Sequence, residues 1–228
     1  MSDAIAFTTD LRARLGSARD QGPRPTCLAF AASDLHAAVR PGWDPLSCET
    51  AFFHAQRRAG RPPTVGATLP SMLEALAFDG QPLEGAWPYP SDSPTTPSAW
   101  TPPPFPDGTF KRVGCELAPQ WSELTDQIGR GRPVLLMMML SPSFFRPVQG
   151  VVAAANDEAP DPTLRHAVLA VAHGSVNGKS AVLVRNSWGE SWGEAGHAWL
   201  AADFVVTRLF GMALLEEDDN VPSRSAAA

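Results

Sequence analysis

Three features are scarce in this sequence, and each scarcity argues against a class of protein. There are only three cysteines, Cys27, Cys48 and Cys115, in 228 residues. These are too few for a disulfide scaffold, so a reducing, cytoplasmic location is the simpler prediction. The longest apolar run, residues 134–140, falls well short of the roughly 18 residues of a membrane-spanning helix. No basic leader followed by an apolar stretch opens the sequence, so we expect no secretory signal.

Basic residues are also few, and they are outnumbered by acidic ones. The chain has 18 Lys and Arg against 24 Asp and Glu, which gives a net charge of −6 and a pI near 5.3. This balance does not favour a nucleic acid or an anionic membrane as partner. The 44% hydrophobic and 18% charged fractions are typical of a globular protein. A chain of this length can bury a substantial core, as one large domain or as two lobes.

What is present divides the chain into five predicted segments. Residues 1–8 are expected to be a flexible lead-in to a domain that spans residues 9–215. Within it we predict a helical lobe over about 20–86, a Pro-rich crossing over about 87–112 and a β lobe over about 113–215. Residues 216–228, acidic and then Ser/Ala-rich, are predicted to be a frayed tail. The crossing is either ordered or a flexible insertion, and its aromatic residues Trp87, Tyr89, Trp100 and Phe105 favour order.

Helix signals dominate the first lobe. Residues 27–39 are strong helix-forming material, with Thr26 as the predicted N-cap. Ser47 is expected to cap a second helix that ends near Arg58, and a third helix is predicted over residues 69–78. Another helix, over about 120–128, is expected to precede the strands.

Strand signals dominate the second lobe. Apolar runs predict strands at 134–140, 167–172, 180–185 and 196–200. Asn177-Gly178 is a strong hairpin signal between the second and third of these strands.

Cys27 is the first candidate for chemistry. It lies in the first turn of a predicted helix, where free N–H groups and the helix dipole favour a thiolate. A lone cysteine is more often a small buried hydrophobic residue, so a partner is needed. A cysteine nucleophile requires a base, usually a histidine that is oriented by an amide or a carboxylate.

His166 and Asn186 meet that requirement. His166 opens an apolar strand, and Asn186 ends the strand that returns from the Asn177-Gly178 hairpin. The amide of Asn186 is therefore expected beside the imidazole of His166. The other four histidines, which are expected to have structural or surface roles, are His36, His54, His173 and His197.

Two competing motifs are weaker. Gly189-Glu190-Ser191-Trp192-Gly193 has the form of a serine-hydrolase nucleophile elbow, but a Gly-rich turn follows it instead of a helix. A zinc site built from Cys48, His54 and Cys115 would lack paired ligand spacing. We therefore predict neither a metal nor a cofactor.

Three segments, in order, resemble the papain-like cysteine peptidase family, peptidase family C1. They are the cysteine loop from Arg19 to Phe30, the histidine segment 164–171 and the asparagine segment 185–197. His166 lies about 140 residues after Cys27 and Asn186 about 20 later, which is the papain spacing. The resemblance covers roughly residues 9–215. It is to a short, bacterial-type member without disulfides and, in this sequence, without a propeptide.

The resemblance implies an α+β fold of two lobes: a helical N-terminal lobe and an antiparallel β-barrel-like C-terminal lobe, with the active site between them. It further implies that Cys27 is the nucleophile, that His166 is the base and acid, and that Asn186 orients His166. Gln21 would donate to the oxyanion hole. The residues implied to contact the substrate are Gly66, Leu69, Met137, Ala167 and Trp188. Trp188 would also shield the bond between His166 and Asn186.

The implied activity is hydrolysis of peptide bonds through a thioester acyl-enzyme. The partner would be a peptide or protein substrate, with a regulatory protein as a further possible partner. An acyl transferase with the same site, or a non-catalytic peptide-binding adaptor, remains an alternative. Three departures from the family pattern bear on activity: Pro25 and Leu28 flank Cys27, and Arg165 precedes His166, where its charge would disfavour imidazolium.

Overall fold

The computed structural model describes residues 4–94, 100–154 and 157–216. Three helices form the first lobe: α1 (Cys27–Ala38), α2 (Cys48–Ala59) and α3 (Leu69–Glu74), which continues as a π-helical turn over Ala75–Asp79. All three lie where the sequence predicts them. The hydroxyl of Ser47 accepts a hydrogen bond from the N–H of Thr50 at 3.1 Å, so the predicted cap of α2 is confirmed.

The second lobe is built on an eight-stranded mixed sheet. Its strands are β1 (Ile5–Asp10), β2 (Gly114–Leu117), β3 (Val134–Met139), β4 (Val151–Val152), β5 (Arg165–Val176), β6 (Lys179–Arg185), β7 (His197–Ala201) and β8 (Leu209–Leu215). The order along the sheet is β2-β8-β3-β5-β6-β7-β4, and β1 also pairs with β5. Every pairing is antiparallel except β4 with β7. Two further helices are α4 (Trp121–Gly129) and α5 (Ala202–Val206).

The predicted α+β architecture of two lobes is confirmed, with one difference in the sheet. Over the described residues the strand path is open, with β2 and β4 at its ends, and it does not close into a barrel. Asn177 and Gly178 both have positive φ, at 52° and 77°, as the tight hairpin between β5 and β6 requires.

Strand β5 is buried on both faces, which explains its nearly continuous apolar sequence. Leu169 and Val171 belong to the core shared with the helical lobe, whereas Val168 and Ala170 belong to a second core on the opposite face of the sheet. Leu124 and Ile128 of α4 pack into this second core. The helices of both lobes therefore hold β5, and with it His166, in place.

The flexible lead-in predicted for residues 1–8 is wrong for residues 5–8. They form most of β1, which pairs with the far half of β5. The hydrogen bonds of this pairing come from a strand more than 160 positions away, so the local sequence carries little sign of it. Residues 1–3 lie outside the described part of the chain, as do residues 217–228 of the predicted tail.

The Pro-rich crossing is ordered over residues 87–94 and 100–112, while residues 95–99 lie outside the described part. Its aromatic residues account for this order, because Trp100 is buried against Phe52 and Phe53, and Trp87 packs on Phe53. Among the described residues, the helices are too short or too polar to cross a bilayer.

Candidate active site

Cys27 is the first residue of α1 and lies half-buried where the helical lobe meets β5. Burial raises the pKa of its thiol. Three backbone N–H groups, those of Ala167, Leu28 and Cys27 itself, act in the opposite direction because they favour a negative sulfur. The contact with Ala167 places the thiol beside the residue that follows His166.

The predicted side-chain cap at Thr26 is wrong. Thr26 occupies the N-cap position, but its hydroxyl makes no hydrogen bond to an N–H of the first turn. Instead, its Oγ1 lies 2.7 Å from the hydroxyl of Tyr89. The contact with Tyr89, which is distant in the sequence, thus replaces the predicted cap.

His166 and Asn186 form a hydrogen bond that determines the tautomer of the imidazole. His166 Nε2 lies 2.7 Å from Asn186 Oδ1, and the same oxygen accepts the N–H of Ser187 at 2.8 Å. An amide oxygen can only accept, so Nε2 carries the proton and donates it to Asn186. His166 Nδ1 is therefore left as the nitrogen that can take a proton.

Aromatic rings surround this hydrogen bond. The ring of Trp188 lies 4.7 Å from the imidazole of His166, between centroids, and Phe144 lies 5.9 Å from it. Phe145 stacks on the outer side of Trp188 at 5.3 Å. Burial lowers the pKa of His166 to about 4, although the Asn186 amide acts to raise it. The imidazole is thus a neutral group in a dry setting.

Gln21 is buried and held from both ends of its amide. Its Oε1 accepts the hydroxyl of Ser187 at 2.6 Å, and its Nε2 donates to the carbonyl of Arg24 at 2.8 Å. A carbonyl can only accept, so the amide atom that faces Arg24 is the nitrogen, and the oxygen faces Ser187. One of the two Nε2 hydrogens remains for another acceptor.

The sequence-predicted site residues converge on one cleft of about 780 Å³ between the lobes. Eight of the nine line it: Gln21, Cys27, Gly66, Leu69, Met137, His166, Ala167 and Trp188. Gly66 and Leu69 come from the helical lobe, and Met137 and Ala167 come from the sheet. Asn186, the ninth, stands behind His166.

The three departures from the family pattern have local explanations. Leu28 is 3% exposed and belongs to the core of the helical lobe. Arg165 donates to the carbonyl of Pro162 and lies over the ring of Phe210, and its charge is not among the causes of the His166 pKa shift. Pro25 lies in a tight turn in which the N–H of Thr26 donates to the carbonyl of Arg24.

Neither the serine-hydrolase motif around Ser191 nor the zinc candidates Cys48, His54 and Cys115 form a site. Ser191 is exposed in the turn that precedes β7. Cys48 is buried at the start of α2, where burial raises its pKa to about 12, and His54 pairs with Asp79. In the described ranges, no three His, Cys, Asp or Glu side chains are grouped to hold a metal ion.

Sequence reasoning missed Ser187, Tyr89 and Phe144 as supports of the site. Ser187 stands directly beside Asn186 in the asparagine segment, and Tyr89 is one of the aromatic residues that favour an ordered crossing, so each lies in a region that the sequence singles out. Phe144 lies in a short 3₁₀ turn that no periodicity indicates.

Comparison with known proteins gives a consistent result. The family model described as "Papain family cysteine protease" matches residues 88–209. Cysteine proteinase RD21A of Arabidopsis thaliana is 55% identical over 42 residues, which are 18% of this chain and 9% of the relative. The oryzain gamma chain of Oryza sativa subsp. japonica is 35% identical over 75 residues, 33% of this chain and 21% of the relative. The matches thus span only a small part of these curated relatives.

Solved structures share the fold over almost the whole chain. Xylellain, a cysteine protease from Xylella fastidiosa, superposes with a TM-score of 0.79 at 18% identity, covering 94% of this chain and 87% of that one. Digestive procathepsin L 3 of Tenebrio molitor gives a TM-score of 0.73 at 19% identity, covering 93% and 70%. Because the family match spans more than half of the sequence and the fold agrees, the chain belongs to the papain family of cysteine proteases.

Proposed function

We propose that the protein is a cysteine peptidase that hydrolyses peptide bonds through Cys27, His166, Asn186 and Gln21. The observation that carries this proposal is the bond between His166 Nε2 and Asn186 Oδ1, because it leaves Nδ1 as the basic nitrogen in a cleft that also holds a thiol. Nucleophile, base and orienting amide are the three parts that thiol catalysis needs.

In the first half-reaction, Nδ1 of His166 takes the proton of the Cys27 thiol, giving a thiolate–imidazolium pair. The sulfur attacks the carbonyl carbon of the peptide bond. The resulting oxyanion accepts the backbone N–H of Cys27 and the remaining Nε2 hydrogen of Gln21. His166 then gives its proton to the leaving amine, the C–N bond breaks, and a thioester remains on Cys27.

In the second half-reaction, His166 takes a proton from water as the water attacks the thioester. The oxyanion forms again in the same hole. The carbon–sulfur bond then breaks, the carboxylic acid leaves, and Cys27 recovers its proton from His166. No cofactor enters either step.

Substrate selection follows from the walls of the cleft. Leu69, Met137 and Ala167 present apolar atoms from both lobes. Gly66 lines the same cleft and has no side chain, so the main chain of an extended peptide can lie along it. A chain lying along Gly66 would place the side chain of the second residue before the cut among these apolar groups. We therefore expect a preference for an apolar side chain at that position.

The test is covalent labelling with a peptidyl epoxysuccinate, combined with hydrolysis of a peptide that carries Leu at the second position before the cut. The wild-type protein is expected to label at Cys27 and to cleave the peptide. Cys27→Ala should do neither, and His166→Ala should stay folded but lose turnover. Cys115→Ser is the matched control, because it removes a different half-buried thiol and should retain both activities.

Three results would contradict the proposal. They are a folded wild-type protein that does not label, labelling that survives in Cys27→Ala, and full turnover by His166→Ala. Release of the acyl group to an added amine with no release to water would identify a transferase instead.

A further inference from the structure

Tyr89, in the Pro-rich crossing, contacts both ends of the segment from Gln21 to Thr26, which we call the catalytic loop. Its hydroxyl donates to the main-chain carbonyl of Gln21 at 2.8 Å and lies 2.7 Å from Oγ1 of Thr26. A phenol has one hydrogen, which Gln21 accepts, so the Thr26 hydroxyl donates to Tyr89. One oxygen atom therefore joins the residue that carries the oxyanion amide to the residue just before Cys27.

The catalytic loop makes few hydrogen bonds within itself. Pro23 and Pro25 contribute no N–H groups. Its internal hydrogen bonds converge on the carbonyl of Arg24, which accepts the N–H of Thr26 at 2.9 Å and the side-chain amide of Gln21 at 2.8 Å. The phenol of Tyr89 adds a second connection, between the main-chain carbonyl of Gln21 and the hydroxyl of Thr26.

The ring of Tyr89 is itself fixed. The main-chain N–H of Tyr89 donates to Glu84 at 2.9 Å, and its ring meets the ring of Phe30 on α1 edge-on, with 4.7 Å between the centroids. The guanidinium of Arg24 lies 4.6 Å from the centre of the ring.

Arg24 is in turn anchored in a buried ion pair. Its side chain is 1% exposed and that of Glu49 is 0% exposed, with the shorter contact at 2.6 Å. Trp100 Nε1 donates to Glu49 at 2.6 Å, and Arg24 donates to the carbonyl of Pro90 at 3.0 Å. Two points of the crossing are thus tied to the catalytic loop, Pro90 directly through Arg24 and Trp100 through Glu49.

We propose that Tyr89 is a positioning residue for the oxyanion hole: its hydroxyl sets the separation between Gln21 and the backbone N–H of Cys27. This inference rests on the proposed peptidase function. An oxyanion hole is effective only when both donors are already aimed at the developing charge. Without the contacts of Tyr89 to Thr26 and Gln21, the loop would still carry the Cys27 nucleophile, but its two oxyanion donors would no longer be aligned.

The experiment compares Tyr89→Phe with wild type in three measurements. The first is the separation of kcat from KM for peptide hydrolysis. The second is inhibition by a peptide aldehyde, whose hemithioacetal adduct with Cys27 places the former carbonyl oxygen in the hole. The third is alkylation of Cys27 by iodoacetamide, which forms a C–S bond and no oxyanion. Thr109→Val is the matched control, because it removes another hydroxyl that binds a main-chain carbonyl, that of Asp79.

Loss of a whole oxyanion donor typically costs about 10²–10³ in kcat, so misalignment of one is expected to cost about tenfold. Tyr89→Phe should lower kcat and aldehyde affinity by this common factor, with KM and the alkylation rate near the wild-type values. In a Gln21→Ala background the same substitution should cost less than about twofold, since the donor that it positions is gone. Thr26→Val should reproduce the pattern from the other side of the contact.

Unchanged kcat and aldehyde affinity in Tyr89→Phe would overturn the inference. A loss that appears equally in alkylation, or a loss that persists in full without Gln21, would overturn it too, because either would indicate a general effect on the fold or on the thiol. A wild-type protein that neither cleaves peptide nor binds the aldehyde would overturn the proposed function together with the inference. If the wild-type protein is active, the other three results would contradict only the role of Tyr89 and would leave the proposed function standing.

Discussion

The hydroxyl of Ser187 donates a 2.6 Å hydrogen bond to the side-chain oxygen of Gln21, a residue 166 positions away in the sequence. The main-chain N–H of Ser187 simultaneously donates to Asn186 Oδ1 at 2.8 Å. One residue therefore orients both the amide proposed for the oxyanion hole and the amide that orients His166. The main chain reinforces this link, because the N–H of Gln21 donates to the carbonyl of Ser187 at 2.9 Å.

Ser187→Ala is expected to lower kcat by about fivefold to tenfold with little change in KM. The substitution leaves the buried oxygen of Gln21 without its donor, so the amide can turn away from the oxyanion. Steady-state kinetics on a peptide substrate measure the effect. Ser191→Ala is the control, since it removes an exposed hydroxyl four positions along the same turn and should keep the wild-type rate. Equal rates for Ser187→Ala and wild type would contradict the orienting role of Ser187.

Asn186→Asp should move the alkaline limb of the pH profile of kcat/KM to higher pH. A carboxylate still accepts the proton on Nε2, and its negative charge raises the pKa of the neighbouring imidazolium. His166 therefore holds the proton that it takes from the Cys27 thiol up to a higher pH. Asn186→Ala, which cannot accept, should instead lower kcat/KM by about 10² at all pH values, because the general base is no longer oriented. A limb that stays in place in Asn186→Asp would show that His166 does not carry the proton that limits the rate at high pH.

Trp188→Leu should raise the pKa of His166 from about 4 towards its ordinary value of 6.5. Burial is the main cause of the depression, and the indole that lies 4.7 Å from the imidazole supplies part of that burial. NMR titration of the imidazole in a Cys27→Ala background gives the pKa without a coupled thiol. His54, on α2 in the other lobe, serves as the internal control. A pKa that remains about 4 in the variant would assign the depression to Phe144 and the strand instead.

Local patterns were sufficient to predict that His166 and Asn186 lie side by side. The Asn177-Gly178 hairpin returns β6 alongside β5, so Asn186 had to come back near His166 once both strands were recognised. The loop before α1 made Cys27 a candidate, whereas the role of Gln21 was implied only by the resemblance to the papain-like family.

What the sequence could not predict depends on contacts between distant segments. The hydroxyl of Thr26 is a standard cap by every local rule, yet Tyr89, 63 positions later, binds it. Residues 5–8 have a weak strand pattern, and only the exposed edge of β5 makes them a strand. In both cases the local structure depends on a residue or strand that is distant in the sequence, and local propensities do not describe such contacts.

Asp34→Asn is expected to destabilise the protein by about 3–5 kcal/mol. The carboxylate, on α1, pairs with Arg19 and with Arg185, whose Nε lies 2.6 Å away, and all three side chains are largely buried. Burial pushes the pKa of Asp34 upward, but the two guanidiniums outweigh burial and hold the pKa below 3.8. A neutral amide would leave Arg185 without this counter-charge and Arg19 with only its longer contact to Glu84, at 3.4 Å.

Urea unfolding at pH 7 measures this loss. The control is Asp10→Asn, which breaks an exposed pair with Arg12 and should cost no more than about 1 kcal/mol. In the wild type, the contribution of Asp34 is fully present above pH 3.8 and is lost as the pH falls through the lower folded-state pKa. A cost for Asp34→Asn as small as that of Asp10→Asn would show that the buried charges are compensated elsewhere.

His36 should make stability fall on mild acidification. Burial lowers its pKa from 6.5 to about 4, with Arg112 and Arg40 acting in the same direction and the hydrogen bond to Gln81 opposing them. Between these two values the unfolded chain binds a proton that the folded chain excludes, so stability decreases as the pH falls from 6.5 towards 4. The full effect of such a shift is about 3 kcal/mol.

His36→Asn is the variant that isolates this effect. The amide nitrogen of Asn can replace Nδ1 as the donor to Gln81 Oε1, which lies 3.0 Å from it, and it does not titrate. Urea midpoints at pH 7 and pH 4.5 should therefore differ less in the variant than in the wild type. His166, whose pKa is also lowered to about 4, contributes equally to both proteins and cancels in the comparison. Parallel pH dependences in the two proteins would mean that the pKa of His36 is not lowered in the folded state. The hydrogen bond to Gln81 would then offset the effect of burial.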